Sequence, residues 1–324
     1  MKNVLIIGNG FDLDLGLPTR YSDFANSDYW PQVNRVSDER SVFSIANGEE
    51  HHALPFYLDK RSKTDNWFDL EEALLDYATN EVSSLANDLY SAKNDIDYYY
   101  ELQSNLCDYL ADAQRKTPIS TNALAGDILR AVLDNGYFDN IFSFNYTDLN
   151  YLAKQLGISQ TIKYTHIHGK LSDRSIILGV NETKLKDEYD ELHKSSSEFY
   201  HSNNLTQALD EANEVVFYGL SFGLIDFDYF SNFFNSLIGK VVPEKEKKYI
   251  SIFTKDKDSG KAIIKRLRDK DINQLQLRSN THLNLFYSDS TVNNQELWNF
   301  YKRLDETSRE SHNRTMEGIV TQLT

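Results

Sequence analysis

Apolar and polar residues fall along this chain in blocks whose spacing predicts strands toward both ends and helices between them. Val4 to Ile7 is a short unbroken apolar run, and a strand over residues 3–8 buried on both faces fits it, with a short helix following. Gln32 to Asn66 is polar and without clear period, apart from an apolar patch near Leu54 to Leu58, and is expected to be loop. From Trp67 onward apolar residues recur at helical spacing: Phe68, Leu70, Leu74 and Tyr77, then Val82, Leu85 and Leu89, then Ile96, Tyr99, Leu106 and Leu110. Two or three helices account for them. Pro118 followed by Ser120 and Thr121 marks a stop and a new N-cap, and Leu124, Ile128, Leu129, Val132 and Leu133 form one face of a helix ending before Gly136.

Beyond Gly136 the pattern becomes strands separated by loops or helices. Strands are expected near Asn140 to Phe144, Thr161 to Ile167, Ser175 to Val180, Glu214 to Leu220, Tyr249 to Thr254 and His282 to Tyr287. Strands alternating with helical stretches predict an α/β fold, a mostly parallel Rossmann-like sheet flanked by helices. The first strand finds no partner for more than a hundred residues. The expected organisation is therefore one α/β domain, residues 1–31 plus 119–324, carrying a loop and helical insertion over 32–118.

Composition narrows the functions open to such a fold. The 324 residues carry a net charge of −15 with a pI near 5.0, and outside KEKK at 245–248 and KRLRDK at 265–270 the Lys and Arg residues are scattered. That is no footprint for nucleic acid. The single cysteine, Cys107, cannot form an intrachain disulfide or a cysteine-based zinc knuckle, which suits a reducing compartment. No apolar run approaches the roughly 18 residues of a membrane helix. A soluble, cytoplasmic protein without a membrane partner is expected.

The junction at GNGFD carries the first candidate chemistry. Gly8 and Gly10 after a strand allow a sharp turn and bring backbone amides close to a phosphate, and in open α/β sheets ligands collect beyond the carboxyl ends of strands. The dinucleotide fingerprint is broken, because Leu13 stands where a third glycine belongs, and Tyr21 to Pro31 does not supply the strand ending in an acid about 20 residues on. A hydride-transfer enzyme is disfavoured. Without a ligand the same glycines make a tight strand-to-helix turn.

Three further strand exits are polar. IFSFNYTD puts Asn145, an amide able to donate and accept, just past an apolar strand, with Asp148 shortly after. TIKYTHIHGK alternates so that Tyr164, His166 and His168 share one strand face, and imidazole exchanges protons near neutral pH. VVFYGLSFGLIDFDYF places Gly219 and Ser221 at an exit, with Asp226 and Asp228 opening a helix. Each has a plainer role: Asn145 closing a turn, Ser221 capping one, Asp226 favouring a helix N-terminus. His166 and His168 lack further ligands at metal spacing, so no metal is expected.

Taken in order, GNGFDLDLGLPTRYSDF, NWFDLEEAL, FSFNYTDL, HIHGKL with IILGVN, and YGLSFGLIDFDYF resemble the motifs of the AbiH family of bacteriophage abortive-infection proteins across nearly the whole chain. They also resemble, remotely, the sirtuin arrangement around NAD. That resemblance implies Gly8, Asn9 and Gly10 at the pyrophosphate, Asn145 orienting a ribose or a water, His168 as base, and Gly219 and Ser221 lining the dinucleotide pocket. Asp12 and Asp226 belong to the same implied cofactor-binding set. Departures from sirtuins are the absent cysteine zinc module and an Asn145-to-Asp148 step one residue longer, so deacylation is unsupported and Asp148 loses its implied ligand contact. The resemblance instead implies antiviral hydrolysis of NAD, with NAD as substrate or ligand, and admits a homo-oligomer or a phage-derived activator as partner.

Two other segments enter the same reading. Asp69, Glu71 and Glu72 begin a helix and suit its dipole, while the AbiH resemblance implies that Glu71 or Glu72 reaches the site. Glu182 to Asn204 is charged and Ser-rich and reads as a solvated helix or a lid. The competing functions are a nucleotide-sensing module without turnover and, more weakly, a metal-dependent nuclease built on Asp226, Asp228 and the acids near Asp69.

Overall fold

A computed structural model describes residues 2–31, 42–46, 49–52, 54–65, 68–79, 92–135, 137–181, 184–239, 241–289 and 297–304. Six parallel strands form the central sheet: β1 (Asn3–Ile7), β2 (Asn140–Ser143), β3 (Thr165–His166), β4 (Glu214–Tyr218), β5 (Lys248–Thr254) and β6 (Thr281–Tyr287). Their spatial order is β3-β2-β1-β4-β5-β6. This is the doubly wound order in which the crossover direction reverses beside the first strand, so a crevice is expected outside the carboxyl ends of β1 and β4. A separate two-stranded antiparallel ladder pairs Val42–Ala46 with Glu49–His52.

Period-two geometry explains why β1 reads as a continuous apolar run. Val4 and Ile6 face one layer, with Phe142, Val215, Phe217, Ile250 and Ile252 and the helices α8 (Leu205–Glu211), α9 (Asp228–Ile238), α10 (Lys257–Asp269) and α11 (Gln274–Asn280). Leu5 and Ile7 face the other, with Phe11, Ile141, Tyr218, Phe253 and Phe286 beneath α6 (Leu124–Asn135) and α7 (Leu149–Gln155). Both faces are covered, as a parallel sheet requires. Earlier in the chain lie α1 (Asn9–Asp14), α2 (Tyr21–Ala25), α3 (Leu54–Thr64), α4 (Leu70–Thr79) and α5 (Ala92–Lys116).

The helices α3 to α5 build a third core that includes Tyr146, Leu171, Ile176, Leu178, Val180, Tyr189 and Leu192. That shared core corrects two expectations. Ser175 to Val180 is not a strand of the sheet: Ile176, Leu178 and Val180 are buried against the helical cluster, and Val180 makes only an isolated bridge to His193. Its apolar residues answer to helices rather than to sheet neighbours. The patch at Leu54 to Leu58 is not loop but the start of α3, where two buried leucines four residues apart supply the only inward contact a short helix needs. Val82, Leu85 and Leu89 lie outside the described residues. No helix among the described residues is long and apolar enough to cross a membrane.

Candidate functional site

The chain leaves β1 at Gly8, and the following turn is packed backbone against backbone onto the exit of β4. Gly8 N donates to Tyr218 O at 2.9 Å and Gly10 N to Gly219 O at 2.9 Å. A Cβ on Gly10 would lie 2.6 Å from Gly219 Cα, and one on Gly219, whose φ is +71°, would lie 2.3 Å from Phe11 N. The glycines therefore serve a close approach of two strand exits, and two of the amides expected to face phosphate, those of Gly8 and Gly10, are already engaged. Asn9 is exposed, its side-chain oxygen accepting from the Thr19 hydroxyl at 2.5 Å.

Asn145, at the exit of β2, joins this turn directly. Its Nδ2 donates to Gly8 O at 3.1 Å and to Asp12 Oδ1 at 2.8 Å, so both amide hydrogens are used and Oδ1 remains as an acceptor. Asp12 faces inward, 1% exposed, and its other oxygen accepts from the Thr147 hydroxyl at 2.8 Å. Burial raises its carboxyl to about 7 against the opposing pull of the Thr147 and Asn145 hydrogen bonds.

His168 lies in a second buried group. Because β3 ends at His166, the alternation that puts Tyr164, His166 and His168 on one face does not extend to His168. His166 stacks near Tyr164 and places Nδ1 3.0 Å from Asn145 O, whereas the His168 ring packs against Phe144 and Tyr229. His168 Nε2 is 3.2 Å from Lys194 Nζ and 3.7 Å from Asp226 Oδ1. Lys194 also donates to Glu71 Oε2 at 3.1 Å, and Glu71 Oε1 accepts from Gly179 N at 3.2 Å. Burial first, and the Lys194 ammonium second, hold the His168 imidazole well below its ordinary range. Burial raises the carboxyls of Glu71 and Asp226, with Lys194 opposing the rise in both. Asp226 Oδ1 is buried with no hydrogen-bond partner among the described residues.

Phe144, Asn145 and Tyr146 are consecutive and bind the two groups together. Phe144 touches the His168 ring, Asn145 holds Asp12, and the Tyr146 hydroxyl donates to Ile177 O at 3.2 Å in the core beside Glu71. Two candidates stand apart. Ser221 is exposed and lines a 230 Å³ cavity with Asp69, Glu72, Arg266 and Lys270, and its carbonyl accepts from Arg266 at 2.8 Å. Asp148 caps α7 through Asn150 N and Tyr151 N and accepts from the Tyr164 hydroxyl at 3.0 Å, beside a 380 Å³ cleft flanked by His166, Lys163 and Lys170. Neither cavity is lined by Asn145 or His168. Asp148→Ala is expected to cost about 1–2 kcal/mol in urea unfolding, and equal stability would contradict the capping role.

Asp69 does the capping at the start of α4, accepting from Glu71 N and Glu72 N, which frees Glu71 to turn inward while Glu72 stays exposed. Lys194 was hidden in a segment that reads as solvated. That segment instead carries two 3-10 turns, Asp187–Leu192 and Lys194–Ser196, with Tyr189 and Leu192 buried and Lys194 2% exposed. The apolar spacing of Leu185, Tyr189 and Leu192 is the only local sign of an inward face. Asp228, on the outside of α9, accepts from Asn181 at 3.3 Å and does not converge with Asp226.

A family model described as Bacteriophage abortive infection AbiH matches residues 4–242, a span holding every residue of both buried groups. No curated protein matches the chain.

Proposed function

The chain belongs to the AbiH family of bacteriophage abortive infection proteins, and from that premise we propose that it is a defence effector that binds NAD at the carboxyl rim of the sheet and hydrolyses the nicotinamide–ribose bond. The observation that carries this reading is the contact of three buried ionisable groups, Glu71, His168 and Lys194, with the part-exposed Asp226 beyond β3 and β4. Buried charge is costly, and such clusters concentrate at reactive sites.

Cleavage passes through an oxocarbenium-like state that needs a positioned nucleophile and a proton acceptor. The outward Oδ1 of Asn145 accepts from a water or ribose hydroxyl. At rest Lys194 donates to His168 Nε2, which places the ring's proton on Nδ1. When Lys194 withdraws toward Glu71, Nε2 takes the nucleophile's proton, and Asp226, 3.7 Å from that nitrogen, faces the resulting imidazolium. The water's oxygen bonds to the ribose carbon and nicotinamide leaves with the bonding pair.

Incubation of the purified chain with NAD is expected to release free nicotinamide, and Asn145→Ala and His168→Gln are each expected to slow release about 100-fold or more. A wild-type chain that binds NAD and releases none would support the sensing module instead. The separation of both cavities from Asn145 and His168 is the observation that favours a chain without turnover.

A further inference from the structure

Asp12 is a buried carboxylate bonded to Asn145 that the chemistry above does not use. It sits in the first turn of α1, yet it points away from the helix end and spends both oxygens on side chains leaving β2. We propose that Asp12 is the positioning residue of Asn145: with Gly8 O taking one amide hydrogen and Asp12 the other, Oδ1 is turned outward as a pure acceptor, and the ligand group it selects is a hydroxyl donor. This rests on Asn145 meeting the substrate.

The geometry leaves little freedom. Gly8 O alone, at 3.1 Å, would let the amide rotate about its remaining bonds; the second acceptor at 2.8 Å fixes which end faces in. Thr147 in turn fixes Asp12. A leucine of similar size at position 12 would fill the space without opposing burial, which pushes the carboxyl up to about 7, so packing does not explain an acid here. The groups bonded to the Asp12 carboxyl are the side chains of Asn145 and Thr147 from the exit of β2. Its helix neighbour Asp14 is turned toward the Tyr218 hydroxyl and Ala125 N, and no Lys or Arg pairs with Asp12 among the described residues. The nearest titrating ring is His166, bonded to the Asn145 carbonyl, and burial lowers its pKa below the usual imidazole value.

Asparagine-selective ¹⁵N labelling of the full chain tests this without turnover. The side-chain NH₂ signal of Asn145, identified by its loss in Asn145→Ala, is expected to shift with pH with a midpoint near about 7. In Asp12→Asn that titration vanishes while the signal stays ordered, because the new amide accepts from Asn145 and donates to Thr147. With NAD, Asp12→Asn is expected to keep kcat, whereas Asp12→Leu loses about tenfold or more in kcat with KM unchanged. A signal that ignores pH, one that titrates equally in Asp12→Asn through His166, or a folded Asp12→Leu chain with wild-type turnover would overturn the proposal. If the chain releases no nicotinamide at all, the hydrolase reading fails and the spectra alone decide the role of Asp12.

Discussion

Gly219→Ala is expected to prevent folding, while Gly16→Ala costs only about 1–2 kcal/mol. Both glycines have left-handed backbone, φ +71° and +90°, so alanine pays the same conformational strain at each. They differ in what surrounds them. Nothing lies within 4 Å of a Cβ at position 16, but at position 219 the new atom would meet Phe11 N at 2.3 Å and Gly10 C at 2.5 Å. Those are main-chain atoms with no rotamer to change, and moving them breaks the Gly10 N to Gly219 O bond and shifts β1 against β4 at the centre of the sheet. Loss above about 4 kcal/mol is reserved for such failures, and yield of folded protein with thermal unfolding will measure it. A Gly219→Ala chain that folds normally and loses only nucleotide binding would return these glycines to a ligand role.

Lys194→Met is expected to cost about 3–5 kcal/mol at about pH 9.5, where the buried carboxyls are driven to ionise. Methionine fills the volume of a side chain 2% exposed, but it leaves Glu71, 6% exposed, and Asp226 Oδ1 buried without the ammonium that opposes their rise. The sign with pH follows from those raised carboxyls. A carboxyl whose pKa is higher folded than unfolded favours the folded state when protonated, so stability falls as pH rises from the unfolded value toward the folded one and is level above it. Removing Lys194 raises the folded values further, and because the Glu71 carboxyl already stands at about 8 in the wild type, the variant keeps losing stability above that pH where the wild type is level, so the loss is small at pH 5 and grows as pH rises past about 8. Lys194→Met combined with Glu71→Leu removes the Glu71 charge as well and is expected to recover part of the stability, the remainder being held back by Gly179 N without its acceptor and Asp226 without the ammonium. Urea midpoints at pH 5 and at about pH 9.5 check this, and a single variant as stable as wild type at the higher pH would contradict a buried ion pair.

Runs of buried residues made β1, β2, β4 and β5 legible, because a continuous apolar run admits few other solutions, whereas β6 at the sheet edge is only partly buried. β3 was legible only in place: two of its residues pair, and the alternation over Thr161 to Ile167 reflects the contact of the tilted Tyr164 and His166 rings more than a long strand. The run at 175–180 misled because hydropathy reports burial without naming the partner. Asn145 and His168 stood out as polar residues at apolar exits, and Glu71 through its motif. Lys194 did not, since a lysine among serines and acids looks solvated unless the Val180 N to Leu192 O and Lys194 N to Val180 O bonds that draw it inward are known. Asp12 entered only through the implied cofactor-binding set, and its bonds to Asn145 and Thr147 were not legible because these partners lie more than a hundred residues away.

The most direct test of the account is the structure of the His168→Gln chain with ADP-ribose bound. The account predicts a ribose hydroxyl within hydrogen-bond distance of Asn145 Oδ1, with the reacting carbon facing residue 168. ADP-ribose seated instead in the cleft beside Tyr164 and Lys163, with Asn145 untouched, would contradict it.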